Sequence, residues 1–221
     1  MSGLEEDRLS QFQVEIAGLF FDLPESVGFL LAGGGALIAQ GLVHRDTDDL
    51  DFFATRDSGD VAAADAALTT AARQRGWIVE VIRTGTEFRR LRIDRNASDG
   101  EGEVFVDLAL DSPPIGAPTV TIAGPSFPPY ELAVRKTLAL FGRAEPRDFT
   151  DVYTLHQHFD RDEILHAAAH ADSGFDLQVF VEMLRSHRRL ADDDFPRADV
   201  SVNELRAYLD AWAKRLEDRL T

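Results

Sequence analysis

The sequence predicts an α/β architecture in the first half of the chain and an all-helical one in the second. Short apolar runs bounded by glycine and polar clusters recur as far as Leu110, as strands do. Six of the nine prolines then fall in Ser112–Pro129. Beyond that stretch the apolar residues repeat at helical spacing to the end.

Taken in order, Leu4, Leu9, Phe12, Ile16 and Leu19 predict an amphipathic helix over residues 4–20. The apolar run Phe29–Ala32 reads as a strand ending in Gly33-Gly34-Gly35, and Ala36–Leu42 as a helix started by that turn. His44–Thr47 is a polar connector into a strand, Asp48–Phe53. The alanine-rich segment 60–75 is a helix by propensity. Trp77–Ile82, Phe88–Ile93 and Val104–Leu110 read as strands, with Asn96–Gly102 a turn between the last two. Ser112–Pro129 reads as an extended linker holding one short strand, Thr119–Ile122, and helices follow over 130–142, 147–159, 161–170, 176–190 and 201–219.

Composition narrows the function. The 221 residues include no cysteine, which excludes disulfides and thiolate metal sites. The acidic N-terminus does not resemble a secretory signal. The apolar, uncharged run Gly28–Val43 is 16 residues broken by three consecutive glycines, so no membrane span is expected and the reading is soluble and cytoplasmic. A net charge of −16 repels phosphate backbones unless basic residues cluster locally. One such cluster exists, Arg83, Arg89, Arg90, Arg92 and Arg95. In the strand Phe88–Ile93, Leu91 and Ile93 would face the core and leave Arg90 and Arg92 outward, available to RNA or to neighbouring acids.

The segment with the most chemistry is Leu31–Phe53, LAGGGALIAQGLVHRDTDDLDFF. Glycines let backbone come close to a bulky ligand, and amides at a helix start attract phosphate oxygens. Residues i and i+2 of a strand share a face, so Asp49 and Asp51 point one way while Leu50 and Phe52 point into the core. In Glu103–Leu110 the same alternation buries Val104, Val106, Leu108 and Leu110 and puts Asp107 on the other face. If the strands of Asp51 and Asp107 are neighbours, three carboxylates converge, which is costly without divalent cations. Taken singly, a glycine triplet is a turn and a D-x-D a solvated face. In this order and on these elements they point to two Mg²⁺ ions clamping a triphosphate.

GGG-A-L followed by HR-D-T-D-D-L-D-F-F resembles the signature of the AbiEii/AbiGii-type nucleotidyltransferase toxins, MenT toxins included, within the DNA polymerase β-like nucleotidyltransferase superfamily. The likeness continues in ELAVRKTLALFGRAEPRDFTDVYTL (Glu131–Leu155), GFDLQVFVEML and DDDFP. It implies a mixed-sheet nucleotidyltransferase core over residues 1–125 and a helical domain over 126–221. It also implies that Gly33 and Gly34 contact the nucleotide phosphates, that Asp49 and Asp51 bind metal, that Lys136 engages the triphosphate, and that Asp151 is a required acid with Asp148 one turn before it. Pairing of Asp148 and Asp151 with Arg143 or Arg147, to hold two helices together, is the plainer alternative. Asp107 as a metal ligand rests on strand geometry.

The resemblance further implies an NTP substrate, an RNA acceptor such as the 3′ end of tRNA, and a cognate antitoxin. In related toxins a Ser or Thr at the position of Thr47 is phosphorylated by a kinase antitoxin; a turn-stabilising hydroxyl is the alternative here. Two other functions compete: transfer to a small molecule, as in aminoglycoside nucleotidyltransferases, or to a protein side chain, and a non-enzymatic partner-binding scaffold. No P-loop and no G-x-S-x-G is present. The histidine pairs His156/His158 and His166/His170 complete no metalloprotease pattern and are expected at the surface.

Overall fold

A computed structural model describes residues 9–95 and 102–220 of the chain. The predicted start of the first helix, with Leu4, and residues 96–101 of the predicted turn lie outside the described residues. The chain divides into two compact units. One takes in the chain to Gly41 together with Asp46–Pro129; the other comprises Leu42–Arg45 and the chain from Tyr130 onward.

In the first unit, helix α1 (Gln11–Phe21) opens with a reciprocal cap: the Gln13 N–H donates to the Ser10 hydroxyl, and the Ser10 N–H donates to the Gln13 side chain. α1 buries Phe12, Ile16 and Phe20, and the Phe20 ring stacks on Phe52 with centroids 4.4 Å apart. Strand β1 (Leu30–Ala32) runs directly into α2 (Gly33–Ala39), so the glycines form the first turn of this helix where they were expected to precede it. β2 (Asp49–Ala54) follows, then α3 (Val61–Gln74), which Asp60 caps and which buries Val61, Ala64, Leu68 and Ala72 along one stripe.

Strands β3 (Ile78–Thr84), β4 (Phe88–Asp94), β5 (Glu103–Leu110), β6 (Thr119–Thr121) and β7 (Gly124–Ser126) complete a seven-stranded mixed sheet in the order β3-β4-β5-β2-β1-β7-β6. β2 and β5 are parallel, and each has an antiparallel partner on its other side, β1 and β4. The segment expected as a linker with one strand thus supplies two. The Thr121 hydroxyl donates to the Gly124 carbonyl and accepts the Ala123 N–H, closing a tight turn at Gly124, whose φ is +104°. Ser126 then pairs with Leu31 of β1.

The second unit holds α4 (Pro129–Gly142), α5 (Pro146–Leu155), α6 (Arg161–Ala171), α7 (Leu177–Arg185) and α8 (Val202–Glu217). Its core includes Leu140, Phe149, Phe180, Leu209 and Trp212. α7 stops short of the expected 190, where the chain tightens into a 3₁₀ turn, Ser186–Arg189. Arg206 donates to the carbonyls of His187 and Leu190 at 2.7 and 2.8 Å and so supplies partners for the backbone there. Of the histidines expected at the surface, His158, His166 and His170 are exposed. His156 is not: its ring packs edge-on against Trp212 and shares a 2.6 Å hydrogen bond with the Tyr208 hydroxyl. Among the described residues no helix is long and apolar enough to cross a membrane.

Candidate active site

Within the sheet, β2 alternates as its sequence requires: Leu50 and Phe52 are fully buried, and Asp49 and Asp51 share the other face. The register brings the remaining predicted carboxylate beside them, since Asp51 pairs with Asp107 across the parallel β2–β5 ladder. On the other side Asp51 pairs with Ala32, the last residue before the glycines. Gly33 has φ +60°, and a β-carbon there would stand 1.8 Å from Asp51 Oδ2. Only a residue without a side chain permits this approach. Gly34 and Gly35 are buried behind it.

Arg90 stands opposite Asp107 on the antiparallel β4–β5 ladder. Its guanidinium reaches over β5, donating to Asp107 Oδ2 at 3.0 Å and to Asp49 Oδ1 at 2.6 Å, with the Phe105 ring centroid 4.8 Å from its central carbon. Arg92 shares that face and pairs with Glu80 at 2.6 Å and Glu103 at 3.3 Å, and Arg83 lies over the Phe88 ring. Of the two alternatives for Arg90 and Arg92, RNA or neighbouring acids, the structure thus contains the second: both are engaged with acids of their own sheet. Thr47, just before β2, accepts the Asp49 N–H at 3.4 Å, while its carbonyl accepts the Gln13 side-chain amide at 2.6 Å.

Among the described residues no three His, Asp or Glu side chains are grouped closely enough to hold a metal ion as they stand. Asp49 and Asp107 are tied to a guanidinium instead. The donor chemistry nonetheless fits Mg²⁺: hard carboxylate oxygens on one face, beside a backbone approach that only glycine leaves open.

In the helical unit, Lys136 of α4 and Asp148 and Asp151 of α5 form a buried ionic network. Lys136 is 6% exposed, and its ammonium lies 3.2 Å from Asp148 and 2.9 Å from Asp151. Arg143 donates two bonds to Asp148, at 2.9 and 3.1 Å, and Asp148 also caps α5 by accepting the Glu145 N–H. The plainer alternative, Asp148 pairing with Arg143, is thus present in the structure together with the pairing to Lys136.

Asp151 faces a residue the sequence reading passed over. Arg45 grips it with both arms, Nε to Oδ1 at 2.7 Å and an η-nitrogen to Oδ2 at 2.8 Å. Burial alone would raise the Asp151 carboxyl, but the Lys136 charge and the Arg45 hydrogen bonds outweigh it and hold the group below the usual range. For Asp148, burial is likewise outweighed by the Arg143 hydrogen bonds and the Lys136 charge. Arg45 had one available signal: it is a charged residue inside the HR-D-T-D-D-L-D-F-F block. Its partner lies 106 residues away.

The predicted residues thus assemble in two groups. Gly33, Gly34, Thr47, Asp49, Asp51 and Asp107 belong to the sheet unit; Lys136, Asp148 and Asp151 belong to the helical unit. A cleft of about 670 Å³ at the Ala54 end of β2, lined by Phe21, Phe29, Phe53 and Phe127, contains none of them.

The profile of a family described as the nucleotidyl transferase AbiEii toxin of type IV toxin–antitoxin systems matches residues 18–221. No curated protein matches the sequence. Among solved structures, JHP933 from Helicobacter pylori superposes with a TM-score of 0.57 at 17% identity, covering 96% of this chain and 94% of that one. A putative nucleotidyltransferase from the same organism gives 0.55 at 16% identity, covering 96% and 97%. The nucleotidyltransferase toxin MenT4 from Mycobacterium tuberculosis gives 0.57 at 14% identity, covering 93% of this chain and 82% of its own. At such identities the likeness shows a shared fold.

Proposed function

The chain belongs to the AbiEii family of nucleotidyltransferase toxins, and on that premise we propose that it transfers a nucleotide from an NTP to the 3′ end of an RNA, tRNA first among the acceptors, with Mg²⁺ at Asp49, Asp51 and Asp107. The observation that carries this reading is the register of β2 against β5, which sets Asp107 beside Asp51 while Gly33 closes on Asp51 from the other side.

When bound, a pair of Mg²⁺ ions supplies Lewis-acid stabilisation of the charge that builds up as the acceptor hydroxyl attacks the α-phosphorus and pyrophosphate leaves. The three carboxylates hold that charge in place. Gly33 and Gly34 let the triphosphate approach Asp51 without a clash. Within the helical unit, Asp148 and Asp151 fix the position of Lys136, the cation that the family likeness assigns to phosphate oxygens, and Arg45 fixes Asp151. Arg83 is the basic residue of the cluster best suited to an RNA contact, because Arg90 and Arg92 already face acids. The protein acts in the cytoplasm, where NTPs and tRNA reside.

A type IV toxin has an antitoxin, and a kinase antitoxin would act at Thr47. Its hydroxyl sits against the Asp49 backbone, so a phosphate there would add roughly −1.5 to −2 charge beside Asp48 and Asp49 and repel the triphosphate. Mass spectrometry of the chain co-expressed with its neighbouring gene checks this.

The activity is tested by incubating the protein with Mg²⁺, each labelled NTP and total tRNA, with Asp49→Asn as the control against contaminants. Label on tRNA with the wild type alone is the expected result, and its absence with all four NTPs would remove tRNA as the acceptor. The net charge of −16 favours a cationic small-molecule acceptor as the second reading. An aminoglycoside panel in the same assay separates the two.

A further inference from the structure

We propose that Arg90 is the resident cation of the carboxylate cluster: it competes with divalent ions for Asp49 and Asp107, and it must swing away for the metal to bind. The inference rests on the reading of those acids as metal ligands and adds a regulator of their occupancy.

The geometry is a bridge between two acids. One η-nitrogen takes Asp49 and the other takes Asp107, so a single side chain joins carboxylates of two adjacent strands. A guanidinium stays charged in a protein and cannot leave by losing its proton. It can leave only by rotating, and its side chain, 31% exposed, has solvent to rotate into. A divalent ion on the same oxygens would face a fixed positive charge at close range, so guanidinium and metal exclude one another.

The other arginines of β4 do not do this. Arg92 ties Glu80 to Glu103 on the same sheet face, and Arg89 pairs with Asp65. Arg90 alone among the three is drawn over the D-x-D face, because its register partner is Asp107. Once displaced, its guanidinium needs a new anion, and the triphosphate that accompanies the metal is one. Metal and nucleotide therefore bind cooperatively in the wild type, each favouring the state in which Arg90 has turned outward.

The test is a Mn²⁺ titration of the full chain followed by the electron paramagnetic resonance of free Mn²⁺. It compares wild type, Arg90→Gln, Arg90→Lys, Arg92→Gln and Asp49→Asn, with and without a non-hydrolysable NTP analogue. Arg90→Gln is expected to bind Mn²⁺ about tenfold tighter than wild type without nucleotide. It should also lose most of the cooperativity with the analogue. Arg92→Gln, which removes a charge from the same face but not the bridge, should stay within twofold of wild type, and Arg90→Lys should fall between. Thermal melting gives a second readout: Arg90→Gln melts lower than wild type without metal, and Mn²⁺ restores it. Equal Mn²⁺ affinity in wild type and Arg90→Gln, with binding lost in Asp49→Asn, overturns the competition and leaves the metal site standing. Absence of Mn²⁺ binding in every variant, nucleotide present, overturns the metal reading and this inference with it.

Discussion

Gly33 and Asp51 are packed so closely that a single added carbon at position 33 would fall 1.8 Å from the Asp51 carboxylate. Gly33→Ala must therefore push Asp51 off its place while also straining a backbone at φ +60°, a conformation that costs an ordinary residue about 1–2 kcal/mol. Gly41 is the natural control. Its φ is +65°, but nothing lies within 4 Å of the added carbon. Gly41→Ala should lose only the strain term in urea melts and Gly33→Ala that term and more, and Gly33→Ala alone should lose nucleotide transfer by about a hundredfold or more, the scale expected when a reacting group is misplaced by about an ångström. Equal activity in the two variants would show that Asp51 is not where the chemistry occurs.

Asp151 receives Arg45 and Lys136 at distances of 2.7 to 2.9 Å in a site almost without solvent. Removing one partner of a buried pair leaves charge uncompensated, and Asp151→Asn should destabilise the helical unit by about 3–5 kcal/mol. Arg45→Lys should cost less, because it keeps the charge and loses the two-armed grip. Urea denaturation followed by tryptophan fluorescence reads the loss, since Trp212 lies in this unit's core. Inactivity of Asp151→Asn would then reflect folding at least in part. The catalytic comparison belongs with Lys136→Met measured under conditions where that variant is folded.

How much of this could be read from the sequence depends on how local its cause is. The alternation in β2 and β5 is local, and it placed Asp49, Asp51 and Asp107 on the face opposite the apolar residues of their strands. Their convergence is not local. β3 and β4 intervene in the chain between two strands that pair in parallel, so the Asp51–Asp107 register comes from the assembled sheet. The strand face of Arg90 was legible for the same reason as that of the aspartates, but its preference for an acid over an RNA phosphate depended on that unseen register. Arg45 was hidden because its partner lies on α5. β7 was hidden by its own composition: Gly124 and Pro125 read as turn residues, and only pairing with β6 and β1 makes a strand of them.

His156 predicts an acid-sensitive fold. Burial, and then the charge of Arg161, push its pKa down to about 4. The unfolded chain takes up the proton near 6.5, so between about 6.5 and 4 the unfolded state binds more protons than the folded one. Stability is full above that window and falls as pH drops through it, by up to about 3 kcal/mol. Burial lowers His187 as well, which acts in the same direction. Asp148 and Asp151, held below the usual carboxylate range, contribute stability lost only further down, below their unfolded pKa near 3.8. Chemical denaturation at a series of pH values should show a slope between 6.5 and 4 that His156→Gln flattens. A wild-type curve level across that interval would place His156 in solvent.

Thr47 separates a structural hydroxyl from a regulated one. Its Oγ accepts the Asp49 N–H at a long 3.4 Å, so the bond is weak and Thr47→Val, which keeps the shape, should cost less than about 1 kcal/mol and leave transfer activity within a few-fold. Thr47→Glu adds a negative charge two residues before Asp49. It should weaken triphosphate binding and lower kcat/KM by about a hundredfold, equivalent to about 2.7 kcal/mol of transition-state stabilisation. The loss should appear with every NTP, since it arises from phosphate repulsion and involves no contact with the base, and it should shrink as ionic strength rises. If Thr47→Val is as inactive as Thr47→Glu, the hydroxyl itself is required to set the start of β2, and phosphorylation would silence the enzyme by breaking that turn with no need for charge.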